Sequence, residues 1–218
     1  ESEGSLKSVL RNAGLGNSVV AGPSDEATHF TIFQITLALT EDGLRGVDEV
    51  VTQVYGYVRM VRDLGPQRWL WDQCRSISRV ELRFLEKSSE IDTCSDLAGD
   101  MQIYEPSDVV VGGFLWEQYD PEEIERAISA FTPANMVMTV VSKAFDGKTD
   151  REEKRYGVKY RESQIDSKLA LAWAQGKAGA AAGRKMHFPV PNTWVPTDFS
   201  VRSGIDAAAA AQVVTEKP

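Results

Sequence analysis

The segment His29–Leu39, HFTIFQITLAL, limits the fold more than any other part of the chain. Phe33, Ile35, Leu37 and Leu39 alternate with Gln34 and Thr36, so one face of the strand is apolar and the other is wetter. Thr40 then stands where a helix cap is wanted, with Glu41 and Asp42 placed to meet the positive helix end. Leu44, Val47, Val51, Val54, Val58 and Val61 keep helical spacing as far as Leu64-Gly65. A strand with one apolar face that feeds straight into a long amphipathic helix predicts a sheet covered by helices on one side.

The rest of the chain extends that pattern. Gly4–Gly14 reads as the end of a helix, with Leu6, Val9 and Leu10 on one face and Gly14 as its stop. Asn17–Gly22, NSVVAG, reads as an edge strand ending at Pro23. Pro66 opens a second helix whose buried stripe is expected to be Trp69, Cys74, Ile77, Val80 and Phe84. A third helix is expected over Asp92–Gln102, and a fourth over Pro121–Phe131. Asp120 caps the fourth, and Glu122, Glu123 and Glu125 lie in its early turns. A second strand is expected over Met136–Ser142 and a last helix over Asp166–Gln175. After Gly176 come small-residue runs and the Pro-rich FPVPNTWVPTDF, read as an arm and linker. The order gives an α+β fold, with helices on one face of a mostly antiparallel sheet.

Charge and cysteine usage narrow the function. The net charge of −8 argues against nucleic-acid binding. No apolar run is long enough for a membrane span. Cys74 and Cys94 lack CxxC spacing, which fits a reducing compartment; the compartment is left open, with the cytoplasm as the expectation. The acidic, polar start is not a signal peptide, and without an initiator Met the chain is expected to be a piece of a longer protein.

Catalytic motifs are missing. Gly147-Lys148-Thr149 suggests a phosphate loop, but Ser142 stands where the loop's first glycine is needed. Lys148 breaks the acidic alternation of a calcium loop. A tight Asp146-Gly147 turn is the plainer reading. His29 and His187 have no ligand partner at metal spacing, and HExxH, HxxEH and GxSxG do not occur. No cofactor is expected in this chain.

Four separated segments carry a resemblance: LTEDGL (Leu39–Leu44), GPQRWLWDQC (Gly65–Cys74), VVSKAFDGKTDREEKRYGVKY (Val140–Tyr160) and PNTWVPTDF (Pro191–Phe199). In this order the chain resembles the insulysin branch of the pitrilysin family, the inverted-motif zinc metallopeptidases. The resemblance implies a pitrilysin-type αβ roll lacking its first strands. It implies that residues 1–176 are the second, non-catalytic domain of the parent's N-terminal half, and that 177–218 are an arm opening the linker between the halves. Zinc and catalysis would belong to the parent's first domain. The partners implied are the other domains of the polypeptide and peptide substrates, with self-association when those domains are missing.

The family pairs an edge strand with the substrate's N-terminal segment. Here the corresponding residues are Asn17, Ser18, Val19, Val20, Ala21, Gly22 and Pro23. Glu1 corresponds to a nearby acidic position that would meet the substrate's amino group. Ala21 replaces a common glycine and Pro23 removes a donor, so the pairing register stays open. The family's fold also occurs in subunits that have lost zinc, so a scaffold role is the alternative.

Overall fold

The computed structural model describes residues 2–27, 29–175 and 186–200. The chain is α+β and divides into two compact units: residues 1–68 with 119–190, and residues 69–118 with 191–218.

In the first unit, α1 (Leu6–Asn12) leads into β1 (Gly16–Ala27), which pairs antiparallel with β2 (Phe30–Leu39). Ser5 caps α1, its side chain accepting the Ser8 N–H. The helix stops where Gly14 takes φ +70, a conformation costly for any residue with a Cβ. β2 runs into α2 (Glu41–Arg45) and α3 (Val47–Leu64). Thr40 caps α2 as expected: its Oγ1 accepts the Gly43 N–H at 3.0 Å and donates to the Gly14 carbonyl at 2.6 Å. One long helix was expected from here; instead the non-helical Gly46 separates α2 from α3.

The helix α3 carries two cores on two faces. Val50 joins Leu6 and Leu10, with Val19, Leu37, Leu39, Val54 and Tyr57 packed around them. Val51 and Tyr55 join Trp173, with Val47, Met136 and Leu169 around them. Each fully buried aliphatic side chain there contributes about 1.5–3 kcal/mol. The second cluster receives Trp173 from a later helix, α7 (Ser167–Gln175).

The sheet confirms one packed face but corrects its extent. Leu37 and Leu39 are half-buried against the first core, whereas Phe33 and Ile35 are exposed. The opposite face is apolar as well as open, with Val20 at 65 %, Phe30 at 57 % and Ile32 at 49 % exposure.

The expected strand Met136–Ser142 is extended chain without a ladder partner among the described residues. Its alternation survives: Met136 and Val140 are half-buried, while Val137 and Val141 are exposed. The side-chain period is that of a strand, but pairing depends on a neighbour that local sequence does not specify. The short hairpin of β3 (Arg151–Glu152) and β4 (Lys159–Tyr160) follows.

In the second unit, α4 (Arg68–Arg83) and α5 (Glu90–Asp100) are joined by the extended 191–200 segment. The expected α4 stripe is corrected: Trp71 and Ser78 are its buried residues, Cys74 is exposed and Phe84 largely so. Apolarity at helical spacing misplaced the face, because specific partners set it. Trp71 meets Trp116 edge-on at 6.1 Å, and the Ser78 hydroxyl donates to the Phe114 carbonyl at 3.1 Å. The arm residues 191–200 pack here: the Asn192 N–H donates to Gln73 at 2.8 Å, and Phe199 meets Phe84 at 5.8 Å. The helix α6 (Pro121–Ser129) belongs to the first unit and is capped by Asp120 as expected. The rest of the expected arm, residues 176–185 and 201–218, lies outside the described residues.

Candidate functional site

β1 has one ladder neighbour among the described residues, β2, so its other edge carries unpaired backbone groups. The register shows why the run singled out from the sequence is a unit. Bulges fall at Asn17, between Gly16 and Ser18, and at Ser24, between Pro23 and Asp25. Between them the pairing is unbroken: Ser18 opposite Ala38, Val19 opposite Leu37, Val20 opposite Thr36, Ala21 opposite Ile35, Gly22 opposite Gln34 and Pro23 opposite Phe33. A bulge bends a strand and interrupts pairing, so Ser18–Pro23 is one straight stretch of edge.

Two anchors hold this stretch. Val19 and Leu37 pack onto the Leu6–Leu10–Val50 core. Four pairs further on, Phe33 meets the ring of Phe131, just beyond α6, at 4.7 Å. The face carrying Val19 is thereby fixed to helices, while Val20 projects from the open face. The Ser24 hydroxyl donates to the Ile32 carbonyl at 3.4 Å, closing the second bulge.

Of the residues expected at the site, Ser18 to Pro23 lie together on the ladder, Asn17 is the bulged residue, and Glu1 lies outside the described residues. The strand does not end at Pro23 as expected but continues to Ala27. Pro23 is tolerated because a strand with a free edge does not need every N–H in the ladder. The bulges themselves were not read from the sequence; the polar pairs Asn17-Ser18 and Ser24-Asp25, which interrupt the apolar run, were their sequence signal.

The Gly147 segment forms a turn. Asp146 and Gly147 (φ +70) occupy its corner, and the Lys148 N–H closes onto the Phe145 carbonyl at 3.0 Å. Just beyond, the Glu153 carboxylate accepts the N–H groups of Tyr156 (2.7 Å) and Arg155 (2.9 Å). Those bonds, Tyr156's first, hold its carboxyl below the ordinary glutamate range.

No three histidine, cysteine or acidic side chains gather closely enough among the described residues to hold a metal ion. The donor set needed for a catalytic zinc, three ligands with an open position, does not fit what these residues offer. No helix among the described residues is long and apolar enough to cross a membrane.

A family model described as the middle or third domain of peptidase M16 matches residues 82–218. The chain belongs to the peptidase M16 family. The relatives of this M16 chain include the insulin-degrading enzyme of Bos taurus, 32% identical over 203 residues, which cover 93% of this chain and 20% of that protein. Human nardilysin is 27% identical over 208 residues, covering 93% of this chain and 18% of that protein. The chain thus spans about a fifth of the length of the curated relatives it matches. Among solved structures, a crystal structure of pitrilysin superposes with a TM-score of 0.79 at 21% identity, covering 91% of this chain and 21% of that chain. The resemblance drawn from the four sequence segments and the α+β class are both upheld, the insulysin branch by the identities and the fold by the superposition.

Proposed function

We propose that this chain is the non-catalytic, chamber-forming and substrate-anchoring part of a longer, insulysin-like zinc metalloendopeptidase. Residues 1–176 would be the second domain of its N-terminal half, and residues 177–218 an arm that begins the linker. Zinc and the hydrolytic step belong to parts of the parent outside this chain. The parent's other domains are its partners.

The observation that carries the reading is the straight, free edge of Ser18–Pro23 between two bulges. An extended peptide can add to such an edge as a further strand, held by backbone hydrogen bonds that ignore most side chains. That suits an enzyme which must hold peptides of differing sequence. Pro23 supports an assignment of the two sides. In an antiparallel pair, alternate residues turn both N–H and C=O to the partner strand. A proline is accommodated where its nitrogen faces away from the ladder. Val19 and Ala21 share the parity of Pro23, so their backbone groups would face the incoming peptide, and those of Ser18, Val20 and Gly22 would face β2. Glu1 would meet the peptide's amino group.

The test compares kcat/KM for long and short peptides in the full-length protein and in Ala21→Pro. A loss confined to long peptides supports anchoring. Equal losses at both lengths would make the edge structural. Finding no HxxEH in the parent's preceding sequence would favour the scaffold role instead.

A further inference from the structure

A concavity of about 480 Å³ opens beside the Gly147 turn, a size found among small-molecule sites. Ser142, Lys143, Phe145, Asp146, Thr149 and Lys159 line it. A tight helical turn over Lys143–Phe145 places the first four: the Phe145 N–H donates to the Ser142 carbonyl at 3.2 Å, and the Asp146 N–H to the Lys143 carbonyl at 3.1 Å. Lys159 comes from β4, held by its pairing opposite Glu152 on β3.

Among the described residues neither Lys143 nor Lys159 has an ion-pair partner. The acidic side chains nearby are engaged or turned elsewhere. Glu162 meets Arg151 at 2.6 Å, and Glu153 accepts the N–H groups of Tyr156 and Arg155. Glu152 stands opposite Lys159 in the ladder, yet its Oε1 lies 3.3 Å from where a Cβ on Gly157 would be. From Lys143 to Arg161 seven lysines and arginines stand against four acidic residues, within a chain of net charge −8. A local excess of positive charge in an acidic protein draws anions.

The lining also decides which anion. Two ammonium groups and the Asp146 carboxylate leave one positive charge on the wall. A monoanion balances it, whereas a phosphate dianion would exceed it and stand against Asp146. The Thr149 hydroxyl adds a donor. The Ser142 hydroxyl accepts the Ala144 N–H at 3.2 Å and still has its proton to give. Phe145, at 38 % exposure, supplies an apolar wall, and Asp146 supplies an acceptor. The ligand that matches has a carboxylate, an apolar side chain and an N–H on neighbouring atoms. Those three features meet in the last residue of a peptide.

We propose that this pocket binds the free C-terminal carboxylate of a peptide that ends in an apolar residue. Lys143 and Lys159 take the carboxylate, Phe145 covers the side chain, and Asp146 accepts the last amide N–H. The proposal rests on the peptidase reading for the source of the ligand, since each amide hydrolysis releases one new C-terminal carboxylate.

The experiment is titration calorimetry on the full-length protein with Lys143→Gln, Lys159→Gln and Asp146→Asn. All three side chains are exposed, and circular dichroism checks the fold. The probes are N-acetylphenylalanine, its C-terminal amide, 3-phenylpropanoate and phenyl phosphate. N-acetylphenylalanine should bind, and its amide at least about tenfold more weakly. Each lysine variant should lose about three- to tenfold, the scale of one exposed charge-assisted hydrogen bond. Phenyl phosphate should bind no more tightly than N-acetylphenylalanine, and Asp146→Asn should move the preference toward it by about fivefold or more. Added salt should weaken every anion.

No binding of N-acetylphenylalanine, or equal binding by the lysine variants, would overturn the proposal. So would binding that a chelator removes, which would place the carboxylate on the parent's zinc. Equal affinity for 3-phenylpropanoate, which lacks the N–H, would overturn the assignment to peptide ends in favour of free carboxylic acids. The titration needs no turnover, so the two readings fail separately. A full-length protein that cleaves no peptide yet holds N-acetylphenylalanine through both lysines loses the peptidase reading and keeps the pocket. One that cleaves peptides while both lysine variants bind as the wild type does loses the pocket alone.

Discussion

A Cβ on Gly43 would lie 1.8 Å from the carbonyl oxygen of Leu15. That oxygen already accepts the Thr40 N–H at 3.1 Å, and Leu15 is itself tied to Leu10. Both contacts are backbone, so neither side can yield cheaply. Gly43→Ala should therefore cost about 1–3 kcal/mol of local stability, in the range of overpacked sites. Hydrogen exchange at Leu15–Val19 and Thr40–Leu44 reads this directly. Unchanged exchange would show that the α2 start can shift away.

Arg62 closes the end of α6. Its guanidinium donates to the carbonyls of Ile128 (3.2 Å), Ser129 (3.4 Å) and Phe131 (2.8 Å). These are helix-end acceptors without further helix to serve them. Burial pushes the nearby Tyr55 phenol up, and the positive charge of Arg62 partly offsets that. Arg62→Met should cost about 1 kcal/mol, since the side chain is exposed and water can replace it. Arg62→Lys should recover part of it, because one terminal nitrogen, Nη2, meets all three carbonyls and an ammonium can stand in its place, while the Nε contact to the Ile128 carbonyl at 3.4 Å is lost. Because the Phe131 ring packs at a tilt against Phe33, the loss should also loosen the hairpin. Nuclear magnetic resonance of the Phe33 ring would detect it, and a lysine variant no better than methionine would refute the role given to the terminal nitrogen.

Trp173 is 2 % exposed and stands at the centre of the second core with Val51 and Tyr55. Trp173→Ala should cost about 3–5 kcal/mol, enough to detach α7 from α3 when followed by urea unfolding. A loss below about 1 kcal/mol would mean that the site collapses freely around the cavity.

The pH response of the 151–160 hairpin follows from Glu153. Its pKa is depressed in the folded hairpin by the N–H groups of Tyr156 and Arg155. A depressed pKa means that the ionised form is favoured on folding. The contribution is complete above the ordinary glutamate value and is lost as pH falls through the lower, folded value. Acidification should thus release the Lys154–Gly157 turn, and Glu153→Gln should show a weaker pH dependence there. Amide shifts of Arg155 and Tyr156 recorded against pH supply the measurement; an identical titration in the glutamine variant would contradict the assignment.

What was legible in the sequence was local. The Thr40 and Asp120 caps were readable because a cap bonds three residues ahead, within one short window. The Gly147 turn was readable for the same reason. The pairing failures came from longer range. Met136–Ser142 keeps a strand's alternation, but no window of sequence reveals whether a neighbour exists. Trp71 was passed over in favour of Cys74 and Phe84 because its partner, Trp116, is distant in sequence. The clash that makes Gly43 obligatory lies with Leu15, and the ring that makes Gly4 obligatory comes from His187. In each case the sequence shows the glycine but not the group that requires it. At the candidate site the apolar run NSVVAGP was legible, whereas the bulges at Asn17 and Ser24 that make it a single edge were not.

The parity across β1 makes neighbouring prolines behave differently. At Val20 the N–H is assigned to β2, opposite Thr36. Val20→Pro should remove a ladder bond and cost about 1–3 kcal/mol, the price of an orphaned acceptor on Thr36. It should reduce cleavage of long and short peptides together, in step with the folded fraction. At Ala21 the N–H is assigned to the free edge. Ala21→Pro should leave the β1–β2 ladder in place and remove one donor from the incoming peptide. The loss on long peptides should be about tenfold, equivalent to one backbone hydrogen bond of about 1.4 kcal/mol. Because anchoring lies remote from the reacting bond, that loss can appear in KM or in kcat, so kcat/KM is the quantity to compare. Val20→Thr, an exposed side-chain exchange on the open face, should be nearly neutral, since backbone pairing does not read it. Circular dichroism and exchange at Ser18–Gly22 separate folding from binding. If Val20→Pro folds well and selectively harms long peptides while Ala21→Pro unfolds the hairpin, the two sides of the strand have been assigned the wrong way round.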